Sequence, residues 1–525
     1  MRKSILLYNT NFEALWSPYL NFRKKEVALK MSKKTGFKVM AKGNYLGSLL
    51  SAKVFVEMQS SKALFSSCFI NIFLISSSFC TIYLLVLLYL IHASEVANIP
   101  DSSQGVSAPT SLEHLVFGIA SNQDSWLEKK NYVKHWWKPQ QMRGCVFVDS
   151  MPGNESSYND SSSLPPVCIS EDTSQFRYTY RHGLPSAIRV ARVVPETVAL
   201  NHSGVRWFVF GDDDTIFFPE NLVKTLSKYD HELWYYIGTN SEIYEQNRLF
   251  SFDMAFGGAG FAISYPLAKV LAKVFDSCLE RYPHLYGSDS RVYTCLAELG
   301  VGLTREPGFH QVDVRGETFG LLAAHPLAPL VSFHHLDHVD PIFPNMTANQ
   351  AIEHLFEAVK VDSERVLQQT VCYDRWFSWT ISVSWGYAVQ VFENHQFLPD
   401  VLRARKTFRQ WKKGSVLSES YTFNTRELHI DPCRRPTIFF MDSVSSGRDG
   451  IESSYRRDAS DGCTLHMASP KRLEEIKVFS HKLDLKIKQL QAPRRHCCDV
   501  LPSSQGNVLE LAIRECKEEE LIHIH

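Results

Sequence analysis

The sequence predicts an α/β fold. Strands and helices alternate over residues 112–365, a β-rich module follows over 366–525, and one membrane-spanning helix stands near the N-terminus. Three observations carry this reading. Short apolar runs at Leu115–Ala120, Gly144–Val148 and Val205–Phe210 alternate with stretches of helical spacing, the mark of an α/β sandwich. From Phe377 to Val391 every second residue is apolar, which is the period of a strand. Residues 63–92 contain no Asp, Glu, Lys or Arg.

The uncharged stretch divides the chain electrostatically. The 525 residues carry 56 basic and 56 acidic side chains, a formal net charge of zero. With 44% hydrophobic residues the chain is not of the disordered class, and the zero balance argues against a basic nucleic-acid binder. The zero is a cancellation. Residues 1–62 hold 12 Lys and Arg against 3 Glu, a net of +9, so 93–525 carry −9. Positive charge stays cytoplasmic, so the reading is a basic tail at 1–62, a signal-anchor at 63–91, a polar stem at 92–111 and everything beyond in a lumen. The anchor has 22 apolar residues in 29, long enough for a bilayer as a helix. The alternative is a cleaved signal peptide, whose charged segment would be unusually long here. Sequons at Asn154, Asn159, Asn201 and Asn345 all lie beyond the anchor, as do ten of the 12 cysteines, a number able to pair fully in an oxidising compartment.

The elements of the lumenal part follow in order. A strand at Leu115–Ala120 is followed by a helix over Ser125–Trp137 that stops before Pro139. Gly144–Val148 is a second buried strand, and 150–166 is an exposed Ser/Pro/Asn-rich loop. Pro219 opens a short helix with Leu222, Val223 and Leu226 on one face. Leu267, Val270, Leu271, Val274, Phe275, Cys278 and Leu279 mark a longer helix. In the C-terminal part the row Phe377, Trp379, Ile381, Val383, Trp385, Tyr387, Val389 and Val391 reads as the core face of a sheet rather than a sugar-stacking surface. Thr437–Met441, Ile476–Phe479 and Leu483–Ile487 read as further short strands.

The chemistry concentrates at Trp207-Phe208-Val209-Phe210-Gly211-Asp212-Asp213-Asp214-Thr215, where three carboxylates end a buried strand. In extended backbone Asp212 and Asp214 point to one side. Carboxylates this close raise one another's pKa unless a cation is present, and oxygen ligands suit Mg²⁺ or Mn²⁺. The carboxyl end of a parallel strand is where α/β sheets place ligands. A divalent ion there suits a diphosphate leaving group, as in nucleotide-sugar transfer. No phosphate-binding G-x-x-x-x-G-K-[ST] motif is present.

At these residues the chain resembles the Fringe-like β-1,3-glycosyltransferases of glycosyltransferase family 31, in their plant branch. Four motifs occur in family order over about 115–340: Trp207–Thr215, Gly257-Gly258-Ala259-Gly260-Phe261, Gly287-Ser288-Asp289 and Phe309-His310. The plant-type likeness continues through His334-His335-Leu336-Asp337 and Val339-Asp340-Pro341. The resemblance implies a GT-A, Rossmann-like nucleotide-sugar domain at 112–365, a UDP-sugar donor, Mn²⁺ (or Mg²⁺) and inversion at the anomeric carbon. It implies Asp214, Asp212 and His310 as metal ligands. Asp212, Asp213 and the backbone at Gly257, Gly258 and Gly260 then border the nucleotide-sugar, and Asp289 is the catalytic base. Gly287-Ser288-Asp289 replaces the family's Pro-Asp-Asp, and Val312 stands where Fringe has a second His, so Fringe's acceptor is not carried over. His334, His335 and His338 are assigned a packing or surface role.

The reading is therefore a single-pass type II Golgi glycosyltransferase with a β-1,3 specificity, a glycan or glycoprotein acceptor and no nucleic-acid partner. Its rivals are a non-catalytic carbohydrate-binding or scaffold protein on the same fold, and a two-metal phosphodiesterase.

Overall fold

The computed structural model describes residues 77–78, 80–88, 109–151, 163–411, 420–458, 463, 468–503 and 505–522. Of the expected anchor at 63–91, only 77–78 and 80–88 fall within it, as helix. The tail and all of the stem before residue 109 lie outside the described residues, as do Asn154 and Asn159. Among the described residues no helix is long and apolar enough to cross a membrane. Asn201 and Asn345 are exposed.

Residues Ala108–His525 form one compact unit of mixed α/β architecture. Its first half contributes strands β1 (Leu115–Ala120), β2 (Arg143–Val148), β3 (Val167–Ile169), β4 (Trp207–Asp212), β5 (Ile216–Phe217), β6 (Tyr236–Gly238), β7 (Phe261–Ser264), β8 (Leu303–Arg305), β9 (Phe309–His310) and β10 (Ser332–Phe333). It also supplies helices α1 (Gln123–Lys134), α2 (Ser186–Ala199), α3 (Pro219–Leu226), α4 (Tyr265–Arg281), α5 (Ser288–Glu298) and α6 (Ala348–Asp362). Seven of the strands make one sheet of order β3-β2-β1-β4-β7-β6-β8. β1 lies parallel to both β2 and β4, so the chain reverses its direction of travel across the sheet between β1 and β4. In α/β sheets that reversal opens a crevice at the strands' carboxyl ends.

Alternation along the strands explains the layers. Leu115, Phe117 and Ile119 of β1, with Trp207 and Val209 of β4, join Trp126, Val133 and Leu222 from α1 and α3. Val116, Phe208 and Phe210 face the other way onto Ile188, Val194, Leu271 and Phe275 from α2 and α4. The expected helices at 125–137, 219 onward and 265–279 are α1, α3 and α4. Helix α2 was not anticipated. Pro195 lies inside it, a residue that ordinarily argues against a helix, and its buried Arg189 and Arg192 blur the apolar period. Arg192 is neutralised by Asp276 and Glu171.

The second half is β-rich. Strands β11 (Gln369–Tyr373), β12 (Thr380–Ser384), β13 (Ala388–Phe392), β14 (Thr437–Gly447), β15 (Gly450–Arg457), β16 (Glu475–Ser480), β17 (Cys497–Leu501) and β18 (Val508–Arg514) form an eight-stranded sheet of order β11-β12-β13-β14-β15-β16-β18-β17. The aromatic row of 377–391 is a hairpin, β12 and β13, turned at Gly386 with φ +74°. The turn keeps the parity, so Ile381, Val383, Trp385, Tyr387, Val389 and Val391 are all buried on one core. That core runs without a break from Leu115 to Ile513, across the sequence boundary at 365. The expected strand at Leu483–Ile487 is absent; a loop there leads into a short helix at Ile487–Gln491. All ten cysteines beyond the anchor are paired: Cys145–Cys168, Cys278–Cys295, Cys372–Cys498, Cys433–Cys463 and Cys497–Cys516. Cys372–Cys498 ties β11 to β17, the two ends of the strand order, so the sheet curls round and its edges are protected.

Helix α4 is held by apolar burial, with Leu271 fully buried beneath it. Leu271→Ala is expected to cost about 2–5 kcal/mol, read as a lowered thermal midpoint in calorimetry. An unchanged midpoint would contradict this packing.

Candidate metal centre at the end of β4

The three carboxylates at the end of β4 take three different surroundings. Asp213 turns away from its neighbours and is buried; its Oδ2 accepts hydrogen bonds from the Ser121 hydroxyl at 2.6 Å and the Ser125 hydroxyl at 2.5 Å. Asp214 is also buried. Its Oδ2 meets the Lys129 ammonium at 2.5 Å, and its Oδ1 lies 3.0 Å from Nε2 of His334. Asp212 is more open, with Oδ2 3.7 Å from the same imidazole nitrogen. Asp212 and Asp214 thus converge on one side, as the extended backbone requires. Thr215 closes the turn: its Oγ1 accepts from the Asp212 N–H at 2.7 Å and donates to the Gly258 carbonyl at 2.8 Å.

Helix α1 supplies the counter-groups. Asn122 caps it by accepting the N–H groups of Asp124 and Ser125. Ser125 and Lys129 are four residues apart, on one helix face, and that face meets Asp213 and Asp214. Lys129 also reaches Asp337 at 3.4 Å.

The imidazole beside Asp212 and Asp214 is that of His334, and the expected ligand His310 lies elsewhere. Asp212, Asp214 and His334 offer ligand atoms that all lie within 4.8 Å of one another, and among the described residues they form the one such group of three. Strand register explains which histidine arrives. In the small sheet β5-β10-β9, the parallel pair β9 and β10 aligns Ser332 with Phe309 and Phe333 with His310. Aligned residues share a face, so the His310 ring packs near Phe333, with centroids 5.6 Å apart. His334 comes one residue later. His310 instead lies 2.8 Å, Nε2 to Nε2, from the buried His325, with Glu242 3.7 Å from its Nδ1. The signal for His334 was present in the sequence as a second Phe-His pair, Phe333-His334.

The glycine motif makes room for this arrangement. A Cβ on Gly258 would lie 2.1 Å from Cε1 of His334, and a Cβ on Gly257 would lie 2.7 Å from Oδ1 of Asp289. Gly260, at φ +80°, packs under Phe217. Asp289 sits in the first turn of α5 and takes the Gly257 N–H and the Ser288 hydroxyl. Cys278–Cys295 pins α5 to α4 and so fixes that turn. Asp212 and Asp289 line one small cavity with Gly257 and Ser288. Outside it, Asp212, Asp214, His334 and Lys129 border an open cleft of about 910 Å³ at the carboxyl ends of β1 and β4.

The electrostatics are those of a cluster that neutralises itself. Burial, with the charges of Asp214, Asp289 and Asp213, pushes Asp212 up to about 7, against the pull of His334. Burial opposes the ionisation of Asp214, but His334 and Lys129 outweigh it and hold its carboxyl far below the usual range. Burial would lower His334, yet Asp214 and Asp212 raise it to about 9. Burial also raises Asp289, against its bonds from Gly257 and Ser288. Two carboxylate oxygens and one imidazole nitrogen are a donor set suited to Mn²⁺. His334 Nδ1 has no hydrogen-bond partner, so the ring is positioned by the carboxylates and by packing against Gly258.

A family model described as a protein of unknown function, DUF604, matches residues 246–498. The match takes in the glycine motif, Asp289, both Phe-His pairs and most of the second sheet, and begins after the acidic triplet. No curated protein matches the chain. Among solved structures, one match is a mannosyltransferase from Pyrobaculum calidifontis in complex with GDP-Man and Mn²⁺, with 14% identity and a TM-score of 0.22, over 42% of this chain and 64% of that one. The chain therefore spans less than two thirds of that protein's length.

Two outcomes follow from the geometry. A metal must displace the proton that His334 holds up to about 9 and the one Asp212 holds up to about 7. Mn²⁺ affinity is therefore expected to rise from pH 6 to pH 9, with proton release seen by calorimetry in buffers of different ionisation enthalpy. A flat profile would contradict the assignment. Gly258→Ala is expected to displace the His334 ring and weaken Mn²⁺ binding by about 10–100-fold; wild-type affinity in that variant would contradict the role of Gly258.

Proposed function

We propose that this chain is a metal-dependent, inverting glycosyltransferase of the GT-A, Fringe-like kind that uses a UDP-sugar. The observation that carries the reading is the convergence of Asp212, Asp214 and His334 at the carboxyl end of β4, with Asp289 across the same cavity. Mn²⁺ held by these three residues would supply charge neutralisation for a departing diphosphate. Asp289, its carboxyl raised toward neutrality by burial, takes the proton of the acceptor hydroxyl as that oxygen bonds to the anomeric carbon. The bond from the anomeric carbon to the diphosphate oxygen breaks, and UDP leaves with the electron pair. Lys129 holds Asp214 ionised and oriented.

A β-1,3 linkage to a glycan or glycoprotein hydroxyl belongs to the same proposal. So does a type II anchor at 63–91 with residues 92–525 in the Golgi lumen. The basic tail supports that topology. Full pairing of the ten cysteines and exposure of Asn201 and Asn345 fit an oxidising, glycosylating compartment. A two-metal phosphodiesterase is disfavoured, because the described residues hold a single three-ligand group.

The test is a screen of UDP-sugars against the purified full-length protein with Mn²⁺. One donor is expected to be hydrolysed or transferred, with Asp214→Ala abolishing turnover. Asp289→Asn should lower kcat by about 10²–10⁴-fold while Mn²⁺ binding persists. Absence of UDP binding by calorimetry in the presence of Mn²⁺ would overturn the proposal.

A further inference from the structure

The turn between β11 and β12 breaks the burial rule that the rest of its row obeys. Trp379 and Ile381 are buried, yet Trp376 is 89% exposed and Phe377 50% exposed. Trp376 is the most exposed aromatic side chain among the described residues. A tryptophan held in water gives up about as much apolar burial as any side chain can, so its position calls for a partner.

The turn is tightly held. Asp374 is buried; its carboxylate accepts the Phe377 N–H at 2.6 Å, and its own N–H donates to the Trp379 carbonyl at 2.9 Å. His395 lies 3.3 Å from the Asp374 carbonyl. The Phe377 ring stacks on Trp379 with centroids 4.6 Å apart and planes 20° from parallel. Every backbone and ring contact here fixes the base of the turn and leaves Trp376 presented outward.

Beside it lies a pocket of about 380 Å³, bordered by Trp376, Arg375, Asp499, Arg514 and Glu520. On its far wall one guanidinium meets two carboxylates, while Arg375 stands exposed at the rim. Arg514 is bidentate to Asp499 at 2.6 and 2.9 Å and meets both oxygens of Glu520 at 2.7 and 2.8 Å. A ligand that takes Arg514 would have to break these pairs, whereas a neutral polyol can donate to the carboxylates' remaining lone pairs and leave them intact. Cys497 and Cys498, each in a disulfide, stand in the same wall and make it rigid, which lowers the ordering cost of binding. An aromatic plate beside a polar pocket with many hydrogen-bonding groups matches a sugar, with its C–H face on the ring and its hydroxyls toward the pocket. The pocket shares no lining residue with the acidic cleft.

We propose that Trp376 and the adjoining Asp499–Arg514–Glu520 pocket form a binding site for a neutral carbohydrate chain on the C-terminal sheet, distinct from the metal centre. The site needs neither metal nor donor sugar, so its test is independent of transferase activity.

The experiment is calorimetric titration of the full-length protein, in EDTA and without nucleotide, with neutral β-linked glucan, mannan, xylan and galactan oligosaccharides. At least one is expected to bind. Trp376→Ala should weaken it by about tenfold or more, the loss of one stacking contact, while Trp376→Phe keeps most of the affinity. The exposed ring makes no core contact, so the thermal midpoint of Trp376→Ala should match wild type. The proposal is overturned if no neutral oligosaccharide binds, or if Trp376→Ala binds as tightly as wild type. It is also overturned if the variant instead abolishes a concentration-dependent self-association seen by sedimentation, which would make Trp376 a protein contact.

Discussion

Three consecutive carboxylates at the end of a buried strand are the constraint around which the first half of this molecule is arranged. Buried carboxylates are costly unless each is hydrogen-bonded or paired. The chain meets that cost with distant residues: Ser121 and Ser125 on Asp213, Lys129 and His334 on Asp214. The capped start of α1, the small sheet that delivers His334 and the two glycines that clear space for His334 and Asp289 all serve one cluster. Lys129 and His334 set positive charge against Asp214. Burial and neighbouring carboxylates raise Asp212, and Asp214 with Asp212 raises His334.

Elements with a strong period were legible in the sequence. Strands β1 and β4 and helices α1, α3 and α4 stand where apolar spacing placed them, because each buries a face that the spacing defines. The acidic triplet was legible for the same reason: a carboxylate run has no place at the end of a core strand without a purpose. Helix α2 was hidden because its buried face includes Arg189 and Arg192, whose partners come from other parts of the chain. The segment 483–487 has the apolar content of a strand but no neighbour to pair with.

Which histidine stands beside Asp212 and Asp214 is not legible from the motif alone. Phe309-His310 and Phe333-His334 are alike as dipeptides; the first is β9, and the second straddles the end of the adjacent parallel strand β10. A one-residue offset in register separates a histidine that faces His325 from one that faces Asp212 and Asp214. Register is a tertiary property, set by hydrogen bonding between strands. Lys129 was overlooked for a related reason: a lysine on an amphipathic helix is ordinarily solvent-facing, and only the position of β4 turns it into a counter-ion. In the second half, the aromatic row is core from Trp379 to Val391, while its first member Phe377 and the neighbouring Trp376 are exposed.

The most direct test is crystallographic. Crystals of the protein grown with Mn²⁺ and UDP, with diffraction recorded at a wavelength where manganese scatters anomalously, would locate the ion. The account predicts one manganese peak bounded by Asp212, Asp214 and His334, with the UDP diphosphate against it. A peak at His310, two adjacent ions, or no peak near β4 would contradict it.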